Sequence, residues 1–341
     1  MASVVFNEPE KRAGLLAFLQ RQLLVTPPLP RNVNIHGRAA VVTGSNAGIG
    51  LECARQPLDL RCSKLILAGE AATKYLLRDS RFTDREVVVW SLDLESYESI
   101  AHFTNRAKSL DHLDIAVLNA GIMQHEHELH PDTNHEKTIQ VNLISTALLA
   151  VLLLPALSSK TRSADSPGRI ALVSSEMASW STLSESSIPI LPTLDKSDRY
   201  DIFGQYMASK LLLQLFVSQL SLQVPSSSVI ITMPNPGLCY GTGLGHAASG
   251  PSLADRIAAG AKRLVGRSPS VGARMLTDAV VNHGLEAHGQ YIEDCQVQPM
   301  APIVYKPAGE ILRQSLWDEY LGLAELSAYH IDETIRELSD S

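Results

Sequence analysis

Residues Ala39–Gly50 read AAVVTGSNAGIG, and this stretch decides the fold. Its first half, Ala39–Thr43, is a short apolar run of the kind that forms a parallel strand buried on both faces. Its second half is a glycine-rich turn with TGxxxGxG spacing that opens a helical pattern. Gly44, Gly48 and Gly50 allow a tight turn and close approach of the backbone to a pyrophosphate, and the helix N-terminus supplies N–H groups. The sequence therefore predicts a dinucleotide site here.

Strand patterns recur along the chain and alternate with helical patterns. Five further candidates are Lys64–Ala68, Glu86–Asp93, Leu113–Ala120, Arg169–Ser175 and Ser228–Gly237. This alternation requires right-handed crossovers, so we expect an α/β fold: a doubly wound (Rossmann) parallel sheet with helices on both faces, in a single domain. The predicted organisation is an N-terminal helical extension with a Pro-rich linker at 1–35, the main domain at 36–310, and a C-terminal helical tail at 311–341.

Composition narrows the class of partner. The chain has 341 residues, 45% of them hydrophobic, with a net charge of −7 and no run of Lys or Arg. Such a chain can bury a full core but lacks the basic surface that binds nucleic acid, so a small-molecule partner is expected. The four cysteines are scattered and have no CxxC spacing, which predicts reduced thiols, a cytoplasmic location and no metal site.

Two apolar segments could contact a membrane. Ile139–Leu157 approaches the length of a membrane span, but it contains Asn142 and Pro155 and has no flanking basic anchors, which favours a buried helix over a transmembrane span. Gly14–Val25 is amphipathic and too short to span a bilayer. Packing of this segment on the protein body is the favoured interpretation, and a position on a membrane surface is the alternative.

Two long segments interrupt the alternation. Ser179–Gly204 is rich in Ser, Pro and Asp and predicts a surface loop. The region from about 242 to 275 is rich in Gly and predicts a substrate lid, since ligands bind beyond the carboxyl ends of parallel strands. A simple connector is the alternative for this second segment.

The motif YMASK, Tyr206–Lys210, places a phenol and an ammonium group at i and i+4 on one face of a helix that it is expected to open. A phenol ordinarily loses its proton near pH ~10, and an adjacent ammonium group favours the phenolate. Tyr206 is therefore a candidate acid/base. Ser174 and Ser175 close the preceding strand, where a hydroxyl could hold a carbonyl oxygen. The YxxxK spacing alone is common. The two preceding serines strengthen the interpretation of Tyr206 as an acid/base.

Together these motifs resemble the short-chain dehydrogenase/reductase family over about residues 36–245. The resemblance implies that Ser175 orients a carbonyl, Tyr206 transfers the proton, Lys210 lowers the tyrosine pKa and Asn142 extends a proton relay. Ser175 is preferred to Ser174 because the motif normally has its serine there. The motifs are TGSNAGIG, LNAGI (Leu118–Ile122), Asn142, Ser175, YMASK and NPG (Asn235–Gly237). The resemblance implies cofactor contacts from Gly44, Ser45, Gly48, Ile49, Gly50, Asp93, Leu94, Asn119, Ala120, Gly121, Tyr206, Lys210, Pro236, Gly237 and Thr242.

Several features are similar to the retinol dehydrogenase and WW-domain oxidoreductase branch, in its fungal secondary-metabolism form: the long Ser175–Tyr206 separation, GQYIEDCQVQPMAP (Gly289–Pro302) and the N-terminal helix. The branch implies a ketone–alcohol oxidoreductase, specifically a ketoreductase on a polyketide-like carbonyl or alcohol substrate, with NADP(H) favoured and NAD(H) not excluded. It also implies a possible homo-oligomer formed through Ile139–Leu157 and Tyr206–Leu222, although these faces could equally be core. The alternative function is a degenerate scaffold that acts as a non-redox cyclase, isomerase or partner-binding protein.

The chain departs from the branch at LILAGEAATKY, Leu65–Tyr75, where a cofactor-selecting loop with an Arg is expected. In one interpretation Glu70 lies near the ribose, where a carboxylate binds the 2′-hydroxyl and repels a 2′-phosphate, which implies NAD. In the other, which we favour because EAATKYLL has a helical pattern, several residues are missing after Ala68. Position 47 of the glycine-rich turn is likewise Ala, where a basic residue that binds NADP is often found. We therefore expect a weaker preference for NADP over NAD than in the branch.

Overall fold

The computed structural model of the chain describes residues 8–31, 33–69, 76, 80–158, 166–196, 198, 200–242, 244 and 263–339. Eight strands of these residues form one sheet in the order β3-β2-β1-β4-β5-β6-β7-β8, and all neighbours are parallel except β7 and β8. The expected doubly wound α/β fold is confirmed. The strands are β1 Ala39–Thr43, β2 Lys64–Ala68, β3 Glu86–Trp90, β4 Ile115–Leu118, β5 Gly168–Leu172, β6 Val229–Asn235, β7 Gln290–Glu293 and β8 Gln296–Gln298.

Helices pack on both faces of the sheet, because alternate residues of the central strands are buried on opposite sides. In β1, Val41 belongs to the core on one face and Val42 to the core on the other. The helices are α1 Pro9–Ala13, α2 Leu15–Leu24, α3 Gly48–Asp59, α4 Tyr97–Lys108, α5 Lys137–Leu157, α6 Ile190–Leu194, α7 Ile202–Gln223, α8 Pro269–Val281, α9 Pro307–Leu321 and α10 Ile331–Ser339.

The strand order reverses between β1 and β4. Val41 pairs with Ile66 of β2 on one side and with Ala116 of β4 on the other. The chain therefore leaves β1 and β4 in opposite directions, and a crevice opens at their carboxyl ends. This topological switch point positions the candidate site.

The last two strands were not predicted from the sequence. The turn between β7 and β8 is formed by Asp294 and Cys295, both with positive φ (53° and 61°). This is the backbone conformation of a two-residue hairpin, which sequence patterns usually mark with Asn-Gly or Asp-Gly. The strands are short, β8 is polar, and Cys stands at the second turn position, so the sequence shows no hairpin pattern.

The long apolar helix is part of the core. Among the described residues, α5 is the one helix long and apolar enough to cross a membrane, and 89% of its most apolar window is buried inside the protein. The buried-helix interpretation is supported by this packing. A π-helical segment, Gln140–Ser145, lies within α5 and carries Asn142. Such segments are frequent at functional sites.

The helix faces expected to mediate oligomerisation are covered by the C-terminal part of the same chain. Leu316 and Tyr320 of α9 are buried, and Tyr320 meets Phe216 of α7 edge to face at 5.0 Å. Ile331 and Ile335 of α10 are buried in the same core, on the α5 side. The alternative stated from the sequence, that these apolar faces are core, is the arrangement found. The proposed boundary at 310 falls within α9.

The segment Ser179–Gly204 is more structured than the surface loop expected from its composition. It contains α6, whose Ile190 and Leu191 are buried. The Glu319 carboxylate of α9 accepts hydrogen bonds from the backbone N–H groups of both residues, each at 2.8 Å. A carboxylate from a distant helix therefore caps α6. The helix that carries Tyr206 also begins earlier than expected, at Ile202.

Much of the expected lid, 242–275, lies outside the described residues. Its end does not form a lid, because Pro269–Arg274 are the first turns of α8, where Gly272 and Ala273 are buried against the sheet. Within this segment, Leu244 lines the cavity described below and Leu264 is exposed, while His246 lies outside the described residues.

Candidate active site

A cavity of about 790 Å³ opens at the switch point, beyond the carboxyl ends of β1, β4, β5 and β6. It contains all but two of the residues predicted to bind a cofactor or act in catalysis. The exceptions are Ser45 and Asn142, which are buried outside its lining. The predicted residues that line it are Gly44, Gly48, Ile49, Gly50, Asp93, Leu94, Asn119, Ala120, Gly121, Ser175, Tyr206, Lys210, Pro236, Gly237 and Thr242.

The glycine-rich turn is held tightly against its neighbours. Gly48 has a φ of +58°, which favours glycine, and it lies against Thr242. A Cβ atom at Gly50 would lie 2.1 Å from the carbonyl oxygen of Gly44, which no side chain tolerates. The following helix α3 has Ala47 at its N-cap, so the N-cap residue offers no side-chain acceptor to the first N–H groups. Those donors are free to bind an anion that enters the cavity.

The ends of β1 and β4 are tied together by hydrogen bonds. The Thr43 hydroxyl accepts from the backbone N–H groups of Asn119 and Ala120, each at 3.0 Å. In return, the Asn119 side-chain amide donates to the Thr43 carbonyl oxygen at 3.1 Å. Thr43 and Asn119 therefore fix the floor of the cavity at the switch point. Thr43 was part of the quoted motif but was not singled out as a site residue.

The two serines after β5 have different surroundings. Ser174 is buried, and its hydroxyl accepts a hydrogen bond from the Gln214 side chain at 3.1 Å. Ser175 lines the cavity, its hydroxyl accepts from the backbone N–H of Met177 at 3.2 Å, and its interaction with Tyr206 acts to lower the pKa of the phenol. The structure therefore brings Ser175, the serine chosen from the sequence, to the phenol.

Tyr206 and Lys210 lie one turn apart on α7, whose N-cap is Asp201. Lys210 Nζ lies 5.6 Å from the centroid of the Tyr206 ring and donates to the Val173 carbonyl oxygen at 2.9 Å. Burial lowers the pKa of Lys210 to about 8. Both side chains are thus buried at the cavity wall and held at fixed positions.

The pKa of Tyr206 differs from the expectation. An ammonium group nearby was expected to lower it, but burial raises it above the ordinary value, and the negative charge of Glu176 raises it further. The physical reason is that removing a phenolate from water costs more free energy than its interactions with the surrounding groups offset. In this structure Tyr206 is held in its protonated form, which is the form that donates a proton.

Asn142 lies behind the cavity wall. Its side-chain oxygen accepts from the backbone N–H of Ile122 at 2.8 Å, and its amide donates to the Ile122 carbonyl oxygen at 2.8 Å and to Ser209 at 3.1 Å. These bonds use both amide hydrogens and hold the backbone beside Gly121. The side chain thus positions a wall of the cavity, while its place in a proton relay stays a prediction.

The end of the cavity beside β2 and β3 carries negative charge. Asp93 and Glu95 line it, and Lys210 is the one cationic side chain among the described lining residues. Asn46 lies against Gly69 at the end of β2, because a Cβ built on Gly69 would lie 2.9 Å from the Asn46 side-chain oxygen. Glu70, the residue on which the NAD interpretation depends, lies outside the described residues.

Sequence reasoning missed several lining residues. Glu176 directly follows the predicted serine, and Asn46 lies inside the quoted glycine-rich turn, so adjacency to a motif was the available signal. No motif marks the apolar residues of the other half of the cavity, which tertiary packing brings together. They are Met123, Met177, Phe203 and Leu238.

The site fits a dinucleotide: uncapped helix N–H groups and a glycine cradle lie at one end, and the Ser175, Tyr206 and Lys210 side chains lie at the other. The comparisons agree. Residues 38–186 match the family model for short chain dehydrogenase. Relatives that are more than 30% identical align over nearly the whole chain. The chain belongs to the short-chain dehydrogenase family.

Two fungal relatives show how close the similarity is. The chain is 43% identical to the short-chain dehydrogenase fogG of Aspergillus ruber, and the alignment covers 99% of each chain. It is 33% identical to the short chain dehydrogenase virL of Hypocrea virens, with 100% of each covered.

Solved structures share the fold at lower identity. An NADPH-bound carbonyl reductase from chicken fatty liver superposes with a TM-score of 0.55 at 19% identity, covering 78% of this chain and 100% of the other. A 3-oxoacyl-[acyl-carrier protein] reductase from Brucella melitensis in complex with NAD gives a TM-score of 0.56 at 20% identity, covering 75% and 95%. One neighbour therefore holds NADPH and the other NAD.

Proposed function

We propose that this enzyme interconverts a ketone and a secondary alcohol with NAD(P)(H), and that it acts as a ketoreductase in fungal secondary metabolism on a polyketide-like substrate. The observation that carries the proposal is the convergence of Ser175, Tyr206 and Lys210 in the same cavity as the glycine-rich turn. The fungal relatives named above support the metabolic setting.

Each reactive side chain has a role that its position supports. The bound nicotinamide would supply the hydride. Ser175 holds the carbonyl oxygen of the substrate beside the phenol, and Tyr206 gives its proton to that oxygen. Lys210, fixed by the Val173 carbonyl oxygen, places a positive charge behind the phenol and stabilises the negative charge that develops on it as the proton leaves.

The cofactor contacts proposed from the sequence divide between the two ends of the cavity. The N–H groups of Gly48, Ile49 and Gly50 at the uncapped start of α3 bind the pyrophosphate. Asp93 and Leu94 border the adenine, and Pro236, Gly237 and Thr242 border the nicotinamide. The described lining has no cation at the adenosine end, so we propose that both NADH and NADPH bind, with little preference for the 2′-phosphate.

The substrate half of the cavity is apolar, with Met177, Phe203 and Leu244 among its lining residues. These side chains favour an apolar ketone of medium size. We propose that the substrate is a small molecule and that the enzyme acts in the cytoplasm.

The experiment that tests the function measures binding of NADH and NADPH by fluorescence and then screens ketones and alcohols with both cofactors. We expect binding of at least one cofactor and turnover of an apolar ketone. Absence of binding for both at millimolar concentration would contradict the proposal and favour the non-redox scaffold. Tyr206→Phe is the matched variant, since it removes one hydroxyl and keeps the ring.

A further inference from the structure

The N-terminal helix pair, α1 and α2, lies against the turn 236–240 that follows β6. Gln22 of α2 is buried and makes two hydrogen bonds with the backbone of Leu238: its amide donates to the carbonyl oxygen at 2.8 Å, and its side-chain oxygen accepts from the N–H at 3.1 Å. Leu238 lines the cavity. Glycine at position 237 leaves room for this contact, since a Cβ atom on Gly237 would lie 2.9 Å from the Gln22 side-chain oxygen. One side chain of α2 therefore holds one wall of the site.

Arg267 fixes α2 in this position. Its side chain is buried, and its guanidinium group donates to the carbonyl oxygens of Arg21 at 3.1 Å and Val25 at 3.0 Å, in the last turn and at the C-cap of α2. A cation at this end of a helix satisfies carbonyl groups and interacts favourably with the helix dipole. The backbone N–H of Arg267 also donates to the Leu238 carbonyl oxygen at 2.8 Å. The turn after β6 and the end of α2 are thus held by the same residue.

The helix pair also contacts the short turn Glu176–Trp180, which follows β5. The indole N–H of Trp180 donates to the carbonyl oxygen of Ala13 at 2.8 Å. The Phe18 ring of α2 meets the Trp180 ring edge to face, with the ring centroids 5.6 Å apart. Met177 of the same turn lines the cavity. The helix pair is therefore joined to a second wall of the site.

The apolar walls and the reactive side chains are held by different elements. Tyr206 and Lys210 lie on α7, which packs on the sheet through its own buried residues. Met177 and Leu238 lie instead on turns whose contacts include α1 and α2. The spacing between these two walls therefore depends on the helix pair, whereas the position of the phenol and the ammonium group does not. An apolar pocket distinguishes substrates by size, so the spacing of its walls bears on which ketone fits.

We propose that the N-terminal helix pair sets the spacing between the Met177 and Leu238 walls and so determines the size of the ketone that the enzyme accepts. Gln22 and Trp180 are positioning residues in this scheme, since they act through the two walls. The effect on substrate choice rests on the proposed function. The hold of Gln22 on the turn after β6 does not depend on any activity.

The hold on the turn is tested by hydrogen exchange of the full chain without cofactor, resolved at the Leu238 amide by fragmentation in the mass spectrometer. Gln22→Met keeps the length of the side chain and removes both hydrogen bonds, so this amide should exchange about tenfold faster. Gln20→Met is the matched control, because Gln20 is exposed on the same helix, and it should leave the rate unchanged. An unchanged rate in Gln22→Met would overturn the proposal.

The choice of substrate is tested with a ketone that the enzyme reduces and with its homologue that has one more methylene group. Gln22→Met should narrow the ratio of their kcat/KM values by about fivefold, because only closely spaced walls distinguish one methylene group. A loss of folded enzyme would lower both values equally, so the ratio separates positioning from stability. Trp180→Phe removes the N–H donor at the other wall, keeps an aromatic ring, and should narrow the ratio as well.

The Gln20→Met variant should keep the wild-type ratio. A ratio in both Gln22→Met and Trp180→Phe within about twofold of the wild-type ratio would overturn the role in substrate choice. A wild type that reduces no ketone would defeat the proposed function, and the exchange rate at Leu238 would still decide whether Gln22 holds the turn.

Discussion

Gln214 donates a hydrogen bond to the hydroxyl of Ser174 at 3.1 Å, and this bond distinguishes the surroundings of Ser174 from those of Ser175. Gln214 also accepts from the backbone N–H of Ala301 at 2.9 Å, so the amide is fixed from both sides. Ser174 also borders the cavity, but its hydroxyl is held in the packing between β5 and α7, whereas the Ser175 side chain interacts with Tyr206. This difference can be measured.

Ser175→Ala should lower kcat for ketone reduction by about 10²-fold, because the carbonyl oxygen loses a hydrogen-bond donor placed beside Tyr206. Ser174→Ala is the matched control. It should leave kcat within about threefold of the wild type and reduce the free energy of unfolding by about 1 kcal/mol, since Gln214 loses a partner. Steady-state kinetics and urea unfolding check the pair, and equal losses of kcat would contradict the assignment.

Gly50→Ala should lower the free energy of unfolding by about 2 kcal/mol and weaken NADH binding, because the added Cβ would lie 2.1 Å from the Gly44 carbonyl oxygen. Calorimetry reports the binding and urea unfolding the stability. Gly14→Ala, at a position with φ of −67° where the nearest atom is 3.4 Å away, should change neither. Normal binding by Gly50→Ala would show that the turn does not cradle the cofactor.

NADH affinity should fall as the pH rises through about 8, because the pKa of Lys210 is lowered to about 8 by burial and the ammonium form is lost above that value. A neutral amine binds ribose hydroxyl groups without the help of a charge, so the dissociation constant should rise several-fold. Lys210→Met should bind weakly at every pH between 7 and ~9, with a flat profile. A wild-type profile that is flat over this range would contradict the role of the lysine charge.

Stability should depend on the His135 charge. The imidazole lies between Asp195 at 2.9 Å and Glu325 at 3.1 Å. Burial acts to lower its pKa, but the hydrogen bond and charge of Asp195, with Glu325, outweigh burial and raise the pKa above the ordinary value. The folded protein therefore holds the proton more tightly than the unfolded chain does. This contribution to stability is full below the unfolded pKa of ~6.5 and is lost as the pH rises through the folded value.

The variant His135→Asn isolates that contribution. It should lower the free energy of unfolding at pH ~6 by about 2 kcal/mol, because two partly buried carboxylates lose their cation. The difference from the wild type should shrink as the pH rises. Urea unfolding across the pH range measures it, and a difference that grows with pH would reverse the sign argued here.

Asn46→Arg should tighten NADPH binding by about tenfold and leave NADH binding nearly unchanged. The side chain of Asn46 lies in the cavity lining against Gly69, at the end of β2, where a cation would reach a 2′-phosphate. Binding of the two cofactors, measured in parallel, supplies the control in one experiment. Equal tightening of both would point to a general electrostatic effect, and the proposed position of the ribose would be wrong.

Sequence patterns over a few neighbouring residues predicted most of the fold. Val41 and Val42 predicted burial on both faces of β1 because a run without polar alternation suits only the interior of a parallel sheet. The same reasoning failed at β8, where Gln296–Gln298 is short and polar and pairs only because the Asp294–Cys295 turn folds it back. It also failed at α6, because the cap of that helix, Glu319, is more than a hundred residues away in the chain.

The sequence by itself determined the doubly wound sheet, the glycine-rich turn, and the choice of Ser175, Tyr206 and Lys210, since each depends on residues close together in the chain. Only the tertiary structure decided which charges face the phenol. Glu176, Glu293 and Arg21 come from three distant segments, and their interaction arises where β5, β7 and α2 meet in a buried region. Burial, which removes the phenolate from water, and then the charge of Glu176 raise the pKa of Tyr206, the direction opposite to that expected from the YMASK spacing alone.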